Sequence, residues 1–127
     1  MGKIWFTKTH LWLREEKKQE VCVGLTDFAQ ERLAEVTFVE LPEVGDHLLA
    51  DDDVAVIETM SSALEIFLPI TGTITAVNTA LLDEPELINQ DPQDGGWLFK
   101  LRPDVWEDLQ QLLDEDTYEA LLAGEEE

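Results

Sequence analysis

Through its first hundred positions the chain never sustains a long apolar stretch; short apolar runs are separated by turn residues. Runs this short fit strands, because an amphipathic helix needs about ten or more residues of sustained 3.6-residue spacing. "WLR" and "EVCVGL" read as strands, with Glu15 to Lys18 a charged hairpin between them. After Gly24, "TDFAQERLAEV" switches to helical spacing: Thr26 or Asp27 can cap it, Asp27 and Gln30 are spaced like a capping box, and Phe28, Ala29 and Leu33 fall on one side. "TFVELP" returns to strand and is stopped by Pro42, and "EVGDHLLADDD" is a turn-rich link carrying Gly45 and the acidic run Asp51 to Asp53. "VAVIE" and "LEIFLP" are the arms of a hairpin, "ITGTITAVN" adds a strand after Gly72, and "GGWLFKL" a last one. The intervening "LLDEPELINQDPQDGG" holds two prolines and two glycines and reads mostly as loop.

From Pro103 onward the spacing is helical. Asp104 is placed to cap with Glu107 three residues on, and Trp106, Leu109, Leu112 and Leu113 form an apolar stripe. A second short helical stretch starts at Asp116, with Glu119 at its third position, Tyr118, Leu121 and Leu122 inward, and Gly124 as the stop. Residues 124–127 read as a flexible tail. The fold class this predicts is α+β, mainly β: one domain over 1–127, with one short internal helix and a C-terminal helical segment.

Composition narrows the partners. The chain has 127 residues, 44% of them hydrophobic, and four Trp with five Phe supply bulk for a core. With 29 acids against 8 Lys and Arg, the net charge is -21. Such a chain repels phosphate backbones and anionic lipid, which argues against nucleic acid and membrane and favours a partner with a basic face. The single cysteine, Cys22, has no partner for a bridge and sits in alternating "EVCVG", which fits a small core residue in a reducing compartment. The start "MGKIWFTKTH" lacks the apolar run of a secretory signal, and no stretch reaches membrane-spanning length, so a soluble cytoplasmic protein is expected.

The residues that could carry chemistry are sparse. His10 and His47, the only histidines, lie far apart in no metal-ligand spacing; "DDDVAV" lacks the glycine and distant Glu of a calcium loop, so no metal site is expected. His10 is expected to pack among Trp5, Phe6 and Trp12. Ser61 and Ser62 stand in no G-x-S-x-G setting, and no glycine-rich phosphate loop is present. The sequence therefore describes no self-sufficient enzyme. What remains is the hairpin "AVIETMSSALEIF", whose tight turn would hold a side chain away from the body. That geometry suits a carrier, in which a tethered group raises effective concentration at other enzymes' active sites.

"FTKTHLW", "GLTDFAQERL", "TFVELPEVGD", "VIETMSSALEIFLPITGTI", "DGGWLFKL" and the Tyr118, Leu121, Leu122 tail occur in the order and spacing of the glycine cleavage system H-protein family, which the chain resembles from about Trp5 to Leu122. The resemblance implies a lipoyl-type barrel-sandwich hybrid of two short sheets. It also implies a role shuttling a lipoyl-bound aminomethyl group among glycine decarboxylase, aminomethyltransferase and dihydrolipoyl dehydrogenase, after loading by a lipoate-attaching enzyme. Biotin carriers, similar at the tip alone through Met60, lack counterparts of "TDFAQ" and "FVELP".

The chain departs from that pattern at its centre. The family's E-S-V-K-A is matched without a gap by Glu58, Thr59, Met60, Ser61 and Ser62, so Ser61 stands at the lipoyl-lysine position. With Glu65, the flanks Glu58, Thr59, Met60 and Ser62 would form the surface read by the attaching enzyme. Lipoate is held by an amide to an amine; serine offers a hydroxyl, and none of the five lysines lies between Ala34 and Phe99. The resemblance thus implies lipoate in the family and none on this chain, whether a natural armless form or a Lys replaced by Ser. A second departure is Leu11, where the family's H-E-W carries an acid able to meet the amine of the loaded arm. It leaves open a related lipoyl-carrying task, such as a lipoate relay or sulfur oxidation, while the missing lysine leaves open a non-catalytic binding module. Gly95, where the family shows Asp before Gly-Trp, is a minor third.

Overall fold

The computed structural model describes residues 2–125. The chain opens with β1 (Ile4–Phe6), β2 (Leu11–Lys17) and β3 (Glu20–Leu25), then α1 (Asp27–Glu31). β4 (Val36–Glu40) and the two-residue β5 (His47–Leu48) precede the hairpin of β6 (Asp53–Thr59) and β7 (Ala63–Phe67). After β8 (Gly72–Val77) come α2 (Ala80–Asp83), α3 (Leu87–Gln90) and β9 (Phe99–Pro103), then a 3₁₀ segment (Trp106–Gln111) and α4 (Glu115–Glu125).

The strands form two antiparallel sheets, one of six strands in the order β1-β2-β3-β9-β8-β5 and one of three in the order β4-β6-β7. Their facing sides share one apolar core, with Leu13, Val23, Phe99 and Leu101 from the large sheet meeting Val39, Ile57 and Ile66 from the small one. This is the expected mainly-β barrel-sandwich architecture. No helix among the described residues is long and apolar enough to cross a membrane.

In β2 and β3 neighbouring residues are buried in unbroken runs. A strand reads that way when both faces are covered. The second face carries Trp12 and Cys22, which pack with Phe6 and Tyr118 beneath α4. Trp12 is fully buried and its indole N–H donates to the Pro92 carbonyl at 3.1 Å. The ring lies over Gly24, its cross-strand partner, where an added Cβ would come within 2.6 Å of the indole. Only glycine admits that approach.

Burial, with Glu16 nearby second, pushes the Cys22 thiol up to about 12. Burial likewise raises the Tyr118 phenol above its ordinary value. Both groups fold as the neutral form, so their contribution is complete below the unfolded pKa and lost as pH rises through the folded one. Urea midpoints should accordingly fall as pH climbs from 9 towards 12, and Cys22→Ala should show a shallower fall. An equal slope in the two proteins would refute the assignment to Cys22.

Several local expectations are corrected. The helix capped by Thr26, whose hydroxyl accepts from the Ala29 N–H, stops at Glu31 and does not continue through "RLAEV". The stretch expected as loop holds α2 and α3, each anchored by one buried residue, Leu81 and Ile88. The turn-rich link contains β5. The 3₁₀ segment follows Val105 with no side-chain cap, and Asp114 rather than Asp116 opens α4. The Asp114 carboxylate accepts from the Thr117 N–H at 2.8 Å, and that bond holds its pKa below the ordinary value. α4 runs through Gly124 to Glu125, while residues 126 and 127 of the expected tail lie outside the described residues. His10, in the left-handed region at φ 73°, packs at a tilt of 33° against Phe28 and shares a 2.8 Å hydrogen bond with the Tyr118 hydroxyl; among the described residues its aromatic ring contacts are with these two and not with Trp5, Phe6 or Trp12.

Candidate functional site

β6 and β7 pair up to Glu58↔Ala63, leaving Thr59 to Ser62 as the turn. Thr59 builds it: its hydroxyl accepts the N–H groups of Ser61 at 3.2 Å and Ser62 at 3.1 Å, and donates to the Ser62 carbonyl at 3.2 Å. The Thr59 N–H closes the turn on the Ser62 carbonyl at 2.8 Å, and the Met60 N–H reaches back to the Glu35 carbonyl. A side chain that satisfies its own turn in this way stiffens it. Met60, Ser61 and Ser62 are exposed, Met60 by 76%. The Ser61 hydroxyl makes no hydrogen bond among the described residues, and neither histidine hydrogen-bonds it.

Of the expected flanks, Thr59, Met60 and Ser62 share the tip with Ser61. Glu58 and Glu65 do not. The ladder rows Phe38↔Glu58↔Ala63 and Glu40↔Val56↔Glu65 put both on the outer face of the small sheet, below the tip. That face carries Glu40, Glu58 and Glu65 with Phe38 and Phe67, which are about half exposed. No Lys or Arg lies between Leu33 and Phe99, so the hairpin carries no cation of its own.

Beside the tip, an apolar slot of about 250 Å³ is lined by Thr9, Leu11, Leu64, Glu65, Ile66 and Phe67. Leu11 is only 2% exposed there. Across Phe67 and Thr9 the slot adjoins a cavity of about 350 Å³, walled chiefly by Phe6, Pro69, Leu112 and Leu113, with Lys8 and Asp51 also lining it. Sequence reading missed the slot because its two halves are more than fifty residues apart. The alternation of "LEIF" did carry one signal: it sends Leu64 and Ile66 inward and Glu65 and Phe67 outward.

Among the described residues no group of His, Cys, Asp and Glu is assembled to hold a metal. A rigid two-sheet body that holds out one stiff, exposed turn defines a carrier-type scaffold. The profile described as "Glycine cleavage H-protein" matches residues 4–125. The glycine cleavage system H protein of Escherichia coli is 48% identical over 124 residues, covering 98% of this chain and 96% of that protein. That of Psychrobacter sp. is 44% identical over 121 residues, covering 95% and 96%. The crystal structure of a glycine cleavage system H protein from Mycobacterium marinum superposes with a TM-score of 0.85 at 30% identity, over 97% of this chain and 98% of that one. The chain belongs to the glycine cleavage H-protein family, whose members are lipoyl carriers and not catalysts.

Proposed function

We propose that this chain is an H-type scaffold in which Ser61 occupies the family's lipoyl-lysine position and which, with serine there, carries no lipoyl arm. One observation carries the reading: the stiff tip offers the hydroxyls of Thr59, Ser61 and Ser62, and no lysine lies between Ala34 and Phe99. An amide-linked arm needs a primary amine, so the residues present do not fit the group. On this reading the chain, one cytoplasmic domain over 1–127, docks on the enzymes that read an H protein and occupies them without transferring anything. Those enzymes are glycine decarboxylase, aminomethyltransferase, dihydrolipoyl dehydrogenase and a lipoate-attaching enzyme. The intact turn supports docking over decay, because a tip freed from recognition would have no reason to keep its Thr59 clasp.

Intact-mass measurement after incubation with lipoate, ATP and a lipoate-attaching enzyme tests this. The protein as it stands should gain nothing, and Ser61→Lys should gain one lipoyl group. A gain in the serine form, or none in the lysine form, overturns the assignment of position 61.

A further inference from the structure

We infer that the free edge of β7 is a strand-addition site for an extended basic segment of a partner protein. β7 is the outer strand of its sheet, and among the described residues no backbone hydrogen bond reaches Ala63–Phe67 except from β6. Its other edge therefore offers an extended row of unpaired N–H and C=O groups, which a passing chain can complete. The slot lies along that edge. Four consecutive residues from both faces of a strand can line one cavity only on the side its neighbour leaves open.

Edges kept merely safe are blunted by charge, proline or bulges. Here Glu65 alone supplies charge; Phe67, on the same face, is 49% exposed, and the slot is walled by Leu11, Leu64 and Ile66. An apolar side chain entering such a slot gains roughly 25 cal/mol for each Å² it removes from water.

The pleat sets the partner's sequence. Alternate side chains of an added strand fall on opposite faces. Those on the slot side meet Leu11, Leu64 and Ile66 and are apolar. Those on the outer face lie opposite Glu65, with Glu58 one strand further in and Phe67 alongside. A Lys or Arg there pairs with the carboxylates and can lie on the ring. The five residues of β7 span about 17 Å at about 3.3 Å each. The occupant is then a segment of roughly that length alternating Leu, Ile or Val with Lys or Arg. The charge of -21, and the lack of any Lys or Arg from Leu33 to Phe99, steer such a segment in without opposing it. The site rests on the open edge and not on what residue 61 carries, so it goes beyond the carrier reading.

The peptide acetyl-KLKLKLK-amide, titrated into the nitrogen-15-labelled full chain, tests this. Amide resonances of Leu64 to Phe67 should shift and gain exchange protection. The same residues reordered as KKKKLLL should bind at least tenfold more weakly, as should KLKLKLK to Glu65→Lys. Of two peptides N-methylated at either all Leu or all Lys residues, one should lose tenfold and the other keep its affinity. Absent binding, equal binding of KKKKLLL, or an equal loss with Glu119→Lys, an exposed acid on α4 that does not line the slot, would each overturn the site and show at most diffuse charge attraction.

Discussion

Trp12→Ala should cost roughly 3–5 kcal/mol, the range for removing a buried Trp or Phe side chain. That is a large part of the roughly 5–15 kcal/mol that holds a domain together. The site cannot collapse to fill the gap. Trp12 is fully buried in the second core with Phe6, Cys22 and Tyr118, and its ring covers the bare backbone of Gly24 from the neighbouring strand. Removing it also leaves the Pro92 carbonyl without its donor, which adds about 1 kcal/mol or more. Urea denaturation followed by circular dichroism reads the effect. Trp12→Phe keeps most of the volume and should lose far less, while Gly24→Val, which drives a side chain into the indole, should be as damaging as the alanine. A Trp12→Ala midpoint within error of the parent would mean α4 and the second core add little to stability.

Much of this fold was legible, and its limits have physical causes. The hairpin arms, the strand stopped by Pro42 and the cap at Thr26 follow from alternation and turn chemistry acting over a few residues. "EVCVG" read as an alternating strand, but it is buried on both faces, because α4 covers the second face from far along the chain. α2 and α3 stayed hidden because neither has a side-chain cap and each holds on through a single buried residue, Leu81 or Ile88. Tertiary packing made those helices, not local propensity. His10 went astray for a related reason: a left-handed backbone turns its ring away from its sequence neighbours, towards Phe28 and Tyr118. At the site, the tight turn that exposes residue 61 could be read from the chain itself. The slot could not, since Thr9 and Leu11 meet Leu64 and Phe67 only once both sheets are built.

Ser61→Lys, once loaded with lipoate, should support glycine turnover that the serine form should not, in a mixture of glycine decarboxylase, aminomethyltransferase and dihydrolipoyl dehydrogenase. The change is from nothing to measurable turnover because it alters one functional group and leaves the scaffold untouched. Position 61 is exposed, its side chain makes no hydrogen bond among the described residues, and the Thr59 clasp uses only its backbone N–H. The serine form then becomes an informative competitor. It should raise the apparent KM for the loaded lysine form and leave kcat unchanged, the signature of lost binding without lost chemistry. With carrier near saturation and equal affinities, an equal concentration of the serine form should halve the rate. Glu119→Lys, an exposed change on α4 and not on the hairpin, serves as a control that should compete as well as the parent. Turnover supported by the serine form alone would show that some other residue does the carrying. A loaded lysine form that neither turns over nor is competed would show that these three enzymes do not read this hairpin.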